Sequence, residues 1–206
     1  MKSLKPLQNE IAKIIQADPA HDYSHIMRVY KNAKKIAKHE KANQKLVLAA
    51  VLLHDLVQFS KSDPRSKTAS TESAILAQKI LKKHGFSEPE IKIIADAIRD
   101  HSYSRGKIPQ TIEGKILQDA DRLDALGAIG IARTFSVGGS EKRPIYNESD
   151  PFCHVRKPDD HSWTVDHFYR KLLLLEKKMN TKFAKSLAKK RTKLMTKFLS
   201  DLKDEI

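Results

Sequence analysis

Several histidines and aspartates of this chain are spaced so that they could hold an ion. The stretch HDYSHIMRVY (21–30) has two histidines four apart, His21 and His25, and the pair His21-Asp22. A second pair, His54-Asp55, ends the apolar run VLAAVLL. In QDADRLDALGAIGIA, Asp119, Asp121 and Asp124 fall within six residues, beside Arg122. Imidazoles and carboxylates together form a mixed nitrogen and oxygen set that suits Mn²⁺, Mg²⁺, Fe²⁺, Ni²⁺ or Zn²⁺, with water in the open positions. An ion of this kind acidifies water and makes it a nucleophile. Each feature also has a plain structural reading. His54 could cap a helix with Asp55 in solvent, and the three aspartates could form an acidic surface stripe balanced by Arg122. Against the plain reading, buried His and Asp are rare unless paired or metal-bound, and the residues around both sites look like core.

The elements that would position these residues are helical. Apolar residues recur at helical spacing from Leu4 to Ile15 and again from Ile26 to Ala37. His25 opens the second of these stripes. Ser24 or Asp22 could cap it, and His21 lies ahead of the helix proper, so His21 and Asp22 are expected to orient the site rather than to bind an ion directly. Asn43 caps QKLVLAAVLLHDL, a helix apolar on nearly all sides and therefore central. VQFSKSDPRSKT (57–68) reads as a loop. A helix from about Ala69 to His84 stops at Gly85, and SEPE supplies a capping box that starts the next at Ser87, running to about His101. Thr111 opens a helix expected to continue through Phe135. Residues 136–161 lack periodicity and form a long loop, and two helices over about 162–178 and 181–204 close the chain. No stretch reads as a convincing strand. The expectation is an all-α, single-domain helical bundle, with a motif-bearing core at about 20–135 and the final helices packed on it.

Composition narrows the possibilities. The chain has 206 residues, of which 40% are hydrophobic, and a net charge of +14. No apolar run is long enough to span a bilayer, and the N-terminal residues alternate polar with apolar, unlike a secretion signal. A single cysteine, Cys153, excludes an internal disulfide framework and fits a reducing, cytoplasmic setting. Much of the positive charge lies in KKMNTKFAKSLAKKRTKLMTK, where lysines alternate with a helical apolar stripe. That pattern reads first as a solvated helix face, and nucleic-acid binding is the weaker reading. Attraction of a polyanionic small molecule is compatible with either.

The order His25 … His54-Asp55 … Asp121 resembles the H…HD…D signature of the HD-domain metal-dependent phosphohydrolase superfamily. The surrounding text, LAAVLLHDLV, ILQDADRLDALGAIGIARTF, RPIYNESDPF and HFYRKLLLLEKKMNT, is similar to a bacterial branch of small HD-domain proteins related to YedJ and YpgQ. The resemblance implies a helical bundle around one divalent metal and hydrolysis of phosphate esters or anhydrides, often in nucleotides. It includes a possible pyrophosphohydrolase action on (deoxy)nucleoside triphosphates. Carried over by position, it implies His25, His54, Asp55 and Asp121 as ligands. Asp119 and Asp124, from the same acidic stretch, are expected to surround the ligands rather than bind the ion. Asp121 is preferred because it precedes a basic and then an apolar residue. Asp55 would also serve catalysis. Arg122 matches a position that faces substrate phosphates.

Further cations could hold phosphates. Lys61 and Arg65 lie in DPRSK and its approach, where the chain departs from the P-D-R of relatives, and Arg105 follows His101 in RDHSYSRG. His101 is either a cap at a helix end or a functional group: a proton donor, a phosphate contact or a ligand. The expected partner is a phosphorylated small molecule, in a monomer or homodimer. The competing functions are a basic nucleic-acid-binding bundle without catalysis and a nucleotide sensor that has lost it.

Overall fold

The computed structural model describes residues 4–14, 23–59 and 63–206. All regular structure among them is helical: α1 (Lys5–Ile14), α2 (Tyr23–His39), α3 (Gln44–Leu53), α4 (Ala69–Lys83), α5 (Glu88–Asp100), α6 (Ile112–Asp124), α7 (Gly127–Ser140), α8 (Asp166–Arg170) and α9 (Lys182–Glu205), with short 3-10 turns between some of them. The chain is all-helical, as expected. Its contacts gather into two compact units, with the boundary between Asp121 and Arg122 inside α6.

The first unit is built around α3. Every residue from Leu46 to Leu53 is buried, and α3 touches α1, α2, α4 and α5. A helix apolar all round can only sit inside a bundle. Its start is fixed by Asn43, whose side chain accepts from the Lys45 and Leu46 amides. The α4–α5 pair is shaped by local signals. Gly85 takes φ +71°, donates to the Lys82 carbonyl, and lets Phe86 N–H donate to Leu81 O at 3.1 Å. This is a Schellman ending, and it is open to glycine because it requires positive φ. Ser87 and Glu90 then form the expected capping box of α5. α2 begins at Tyr23, so Ser24 lies within its first turn and accepts from Arg28 Nη1 at 2.8 Å.

The second unit departs from the expectation of one helix running through Phe135. The chain breaks after Asp124. Leu126 is extended, Gly127 takes φ +77°, and a Cβ at that glycine would lie 3.2 Å from Arg191 Cγ. The Arg191 guanidinium donates to the Leu123 carbonyl, which also accepts the Leu126 N–H at 3.1 Å. α7 then runs on to Ser140 and takes the first residues of the expected loop. The rest of that loop is organised by two carboxylates. Asp150 accepts the backbone N–H groups of His154, Val155 and Arg156 at 2.9 to 3.1 Å. Fully buried Asp166 accepts from Arg156 and from Asp159 N–H. The helix expected over 162–178 is instead the short α8 followed by two 3-10 turns. α9 packs along α7, and Phe135, Phe168 and Phe198 meet with ring centres 5.8 to 6.1 Å apart.

Candidate metal centre

The polar residues that interrupt the apolar pattern of the first unit converge. His25 lies on the buried face of α2 with Ile26, Val29, Asn32, Ala33 and Ile36. His54 is the residue that ends α3, and His101 is the residue that ends α5. Asp55 follows His54 in the turn, and Asp121 comes from α6. His25 and His54 are each 1% exposed.

The distances describe one cluster. His25 Nε2 lies 3.7 Å from Asp55 Oδ2 and 3.6 Å from Asp121 Oδ1. His54 Nε2 lies 3.5 Å from Asp55 Oδ2 and 4.0 Å from Asp121 Oδ1. His101 Nε2 faces the other oxygen of Asp55, Oδ1, at 3.8 Å. These separations are too long for direct hydrogen bonds. They match the roughly 3 to 4 Å between ligand atoms around an ion bound at about 2.1 Å.

The tautomers fit the same conclusion. His54 Nδ1 is 2.7 Å from the Val51 carbonyl, and His101 Nδ1 is 2.6 Å from the Ile98 carbonyl. A carbonyl only accepts, so both Nδ1 atoms carry hydrogen and the lone pair of each neutral ring lies on Nε2. His54 Nε2 is buried and has no hydrogen-bond partner among the described residues. Burial pushes the His54 imidazole below its ordinary value, against the pull of Asp55 and Asp121, and so favours the neutral form that binds metal. Burial alone would raise the Asp121 carboxyl; nearby His25, His54 and His101 outweigh it and hold it below the usual value. A buried lone pair opposed by carboxylate oxygens calls for a cation, and the donor set suits a divalent one.

Two overlapping triads can be drawn, His25–His54–Asp121 and His54–Asp55–His101. Both need the single lone pair of His54 Nε2, which can serve one ion. The two triads therefore compete for the same nitrogen, and His101 lies at the edge of the His25–His54–Asp121 group.

The other expected site residues are placed as follows. Arg105 donates to Thr71 Oγ1 at 2.7 Å, and its Nε is 4.0 Å from Asp100 Oδ1. Arg65 is largely exposed, forks onto Asp63 and lies over the Phe59 ring. Arg122, expected to face phosphates, is buried and donates to the Lys178 carbonyl. Asp119 is fully buried, and Asp124 pairs with Arg133 at 2.8 Å. His21, Asp22 and Lys61 lie outside the described residues.

The sequence reading passed over two buried amides. Asn32 Nδ2 lies 3.4 Å from the Ala120 carbonyl, tying α2 to the residue before Asp121. Gln118, fully buried, reaches three carbonyls around His101. Both were visible as polar residues on apolar helix faces.

The HD domain family matches residues 22–126, which is more than half of the chain. The chain belongs to the HD domain family. This HD-domain protein is 32% identical over its full length to the uncharacterized protein YpgQ of Bacillus subtilis, covering 95% of that chain. Its structure resembles that of B. subtilis YpgQ in complex with ADP, with a TM-score of 0.77, 31% identity, and coverage of 98% of this chain and 94% of the other. It also resembles an HD-superfamily hydrolase from Bacillus thuringiensis, with a TM-score of 0.76, 33% identity, and coverage of 98% and 95%. An HD-domain protein of this kind is a hydrolase of the metal-dependent phosphohydrolase type.

Proposed function

We propose that this HD-domain protein hydrolyses phosphate-ester or phosphoanhydride bonds of nucleotides, using one divalent ion, Mn²⁺ or Mg²⁺, held by His25, His54, Asp55 and Asp121. The observation that carries this reading is the cluster itself: two buried imidazole nitrogens within 3.5 to 4.0 Å of two carboxylates. The nucleotide part is supported by the related YpgQ, whose structure was solved with ADP. Pyrophosphohydrolase action on nucleoside triphosphates is the narrower form of the proposal.

When bound, the ion supplies charge neutralisation at phosphate oxygens and acidifies water. The chain's own residues do the rest. Asp55 presents Oδ2 to His25 and His54 and leaves Oδ1 toward His101. His101 keeps one hydrogen on Nδ1 through the Ile98 carbonyl, so any proton it takes up and then gives away is exchanged at Nε2, the side facing the cluster. We assign it the delivery of a proton to the leaving oxygen. Arg105 and Arg65, with Lys61, would hold the remaining phosphates.

The test is a screen of Mn²⁺- and Mg²⁺-dependent hydrolysis over nucleoside mono-, di- and triphosphates, with phosphate and pyrophosphate distinguished. Release of either, lost in Asp55→Asn and restored by no other metal site, supports the proposal. A folded, metal-binding protein that cleaves none of them overturns it.

A further inference from the structure

We propose that Gln118 is a positioning residue that fixes the His101 imidazole against the ion cluster by holding the backbone around it. This deepens the phosphohydrolase reading and, for its kinetic consequence, rests on it.

The end of a helix leaves its last four carbonyls without partners in the helix. At the end of α5, three of them are taken by side chains. Ile98 O receives the His101 imidazole at 2.6 Å, Arg99 O receives the Ser70 hydroxyl at 3.1 Å, and Asp100 O receives the Gln118 amide at 3.2 Å. The same Gln118 Nε2 also reaches His101 O at 3.2 Å and Lys107 O at 2.9 Å. An amide nitrogen has two hydrogens, so three carbonyls are gathered by two donors. Gln118 thus fixes the backbone on both sides of the His101 ring and closes the turn that returns at Lys107.

Its place is unusual for a glutamine. It is 0% exposed, and it stands one helical turn before Asp121 on α6, so one helix supplies both an ion ligand and the clamp on His101. An apolar side chain of equal length would fill the same volume at no desolvation cost. The amide adds fixation of the His101 carbonyl and its neighbours. His101 needs that fixation because its contact with Asp55 is long, at 3.8 Å, and a small rotation would move Nε2 out of reach.

The test uses the full chain with Mg²⁺ and the Gln118→Met variant, which keeps the volume and removes both donors. The first readout needs no activity: the imidazole nitrogen resonances in a long-range ¹H–¹⁵N spectrum at fixed pH. The expected result is that His101 loses the clean Nδ1–H signature and shifts toward a tautomer average, while His54 keeps its own. If the His101 signals stay in place, or His54 moves equally, the proposal is overturned whether or not the chain is a phosphohydrolase.

The second readout is kinetic and applies if the wild type cleaves a nucleotide. Gln118→Met should lower kcat about 10- to 100-fold with KM little changed, and should have almost no effect when His101→Gln is already present. Equal losses in both backgrounds would show a merely structural role. Mn²⁺ affinity measured by calorimetry should stay within about threefold; a collapse would mean that Gln118 acts on Asp121 and would overturn the proposal. Should Gln118→Met fail to fold, Gln118→Asn, which keeps the amide but shortens its reach, takes its place in the same measurements.

Discussion

His54 and His101 are held by the same device. Each ends a helix, each places Nδ1 on the carbonyl three residues back, and their rings meet edge to face at 5.1 Å. The contact that caps the helix also sets the tautomer that directs Nε2 to the cluster. Capping and site-forming are one arrangement here, because an imidazole has two nitrogens and a helix end has spare acceptors.

His54→Gln should therefore do two things. It removes a ligand and a cap together, so Mn²⁺ affinity by calorimetry should fall by at least about 100-fold, and thermal stability should drop with it. Asp55→Asn removes charge from the ligand set without touching the α3 carbonyls. It should lose comparable affinity while its metal-free melting temperature stays close to wild type. A wild-type Mn²⁺ titration from Asp55→Asn would remove this carboxylate from the site.

His101→Gln should lower kcat by about 100-fold or more while leaving Mn²⁺ affinity within about tenfold, since proton transfer of this kind contributes 10² to 10⁴. An affinity loss as large as that of His54→Gln would instead make His101 a full ligand.

Asp160 carries an acid-sensitive share of the stability. Its carboxylate accepts from His167 Nδ1 at 2.7 Å and pairs with Arg170 at 2.9 Å, and the His167 hydrogen bond leads in holding it down to about 2, against the cost of burial. A carboxylate depressed in the folded state stabilises above its unfolded value near 3.9, and that contribution fades as pH falls toward 2. Asp160→Asn should cost about 1 to 2 kcal/mol in urea unfolding at pH 7 and much less at pH 2.5. An equal cost at both pH values would contradict this.

Gly127→Ala should destabilise by about 1 to 2 kcal/mol in the same assay, because φ +77° is disfavoured for alanine and its Cβ would press on Arg191. Unchanged stability would mean the break after α6 can relax.

Much of the scaffold was legible in the sequence. Asn43, the Ser87–Glu90 box and Gly85 each name a helix boundary through a hydrogen-bonding or dihedral requirement, and the structure has all three. The residue order His25, His54-Asp55, Asp121 was also readable, and the structure brings those side chains together. The break after Asp124 was not, because the apolar spacing runs on through Leu126 and Ile129 while the decisive contacts, from Arg191, come from far along the chain. Arg122 was expected to face substrate phosphates because it matches a family position that does so; its guanidinium meets the Lys178 carbonyl, a contact from far along the chain. The broken helix after Val165 is a third case. Leucine-rich periodicity in LLLLEKK is satisfied by 3-10 turns as well as by an α-helix over so few residues.

His25 and Asp121 bracket almost the whole described length of the first unit, with His54 and Asp55 between them. An ion that binds all four would act as a removable staple across distant stretches of chain, one that the unfolded polypeptide cannot form. Metal supply would then set how firmly the fold is held as well as how fast it works. A chelator should lower the melting temperature, and adding Mn²⁺ back should restore it in a concentration-dependent way.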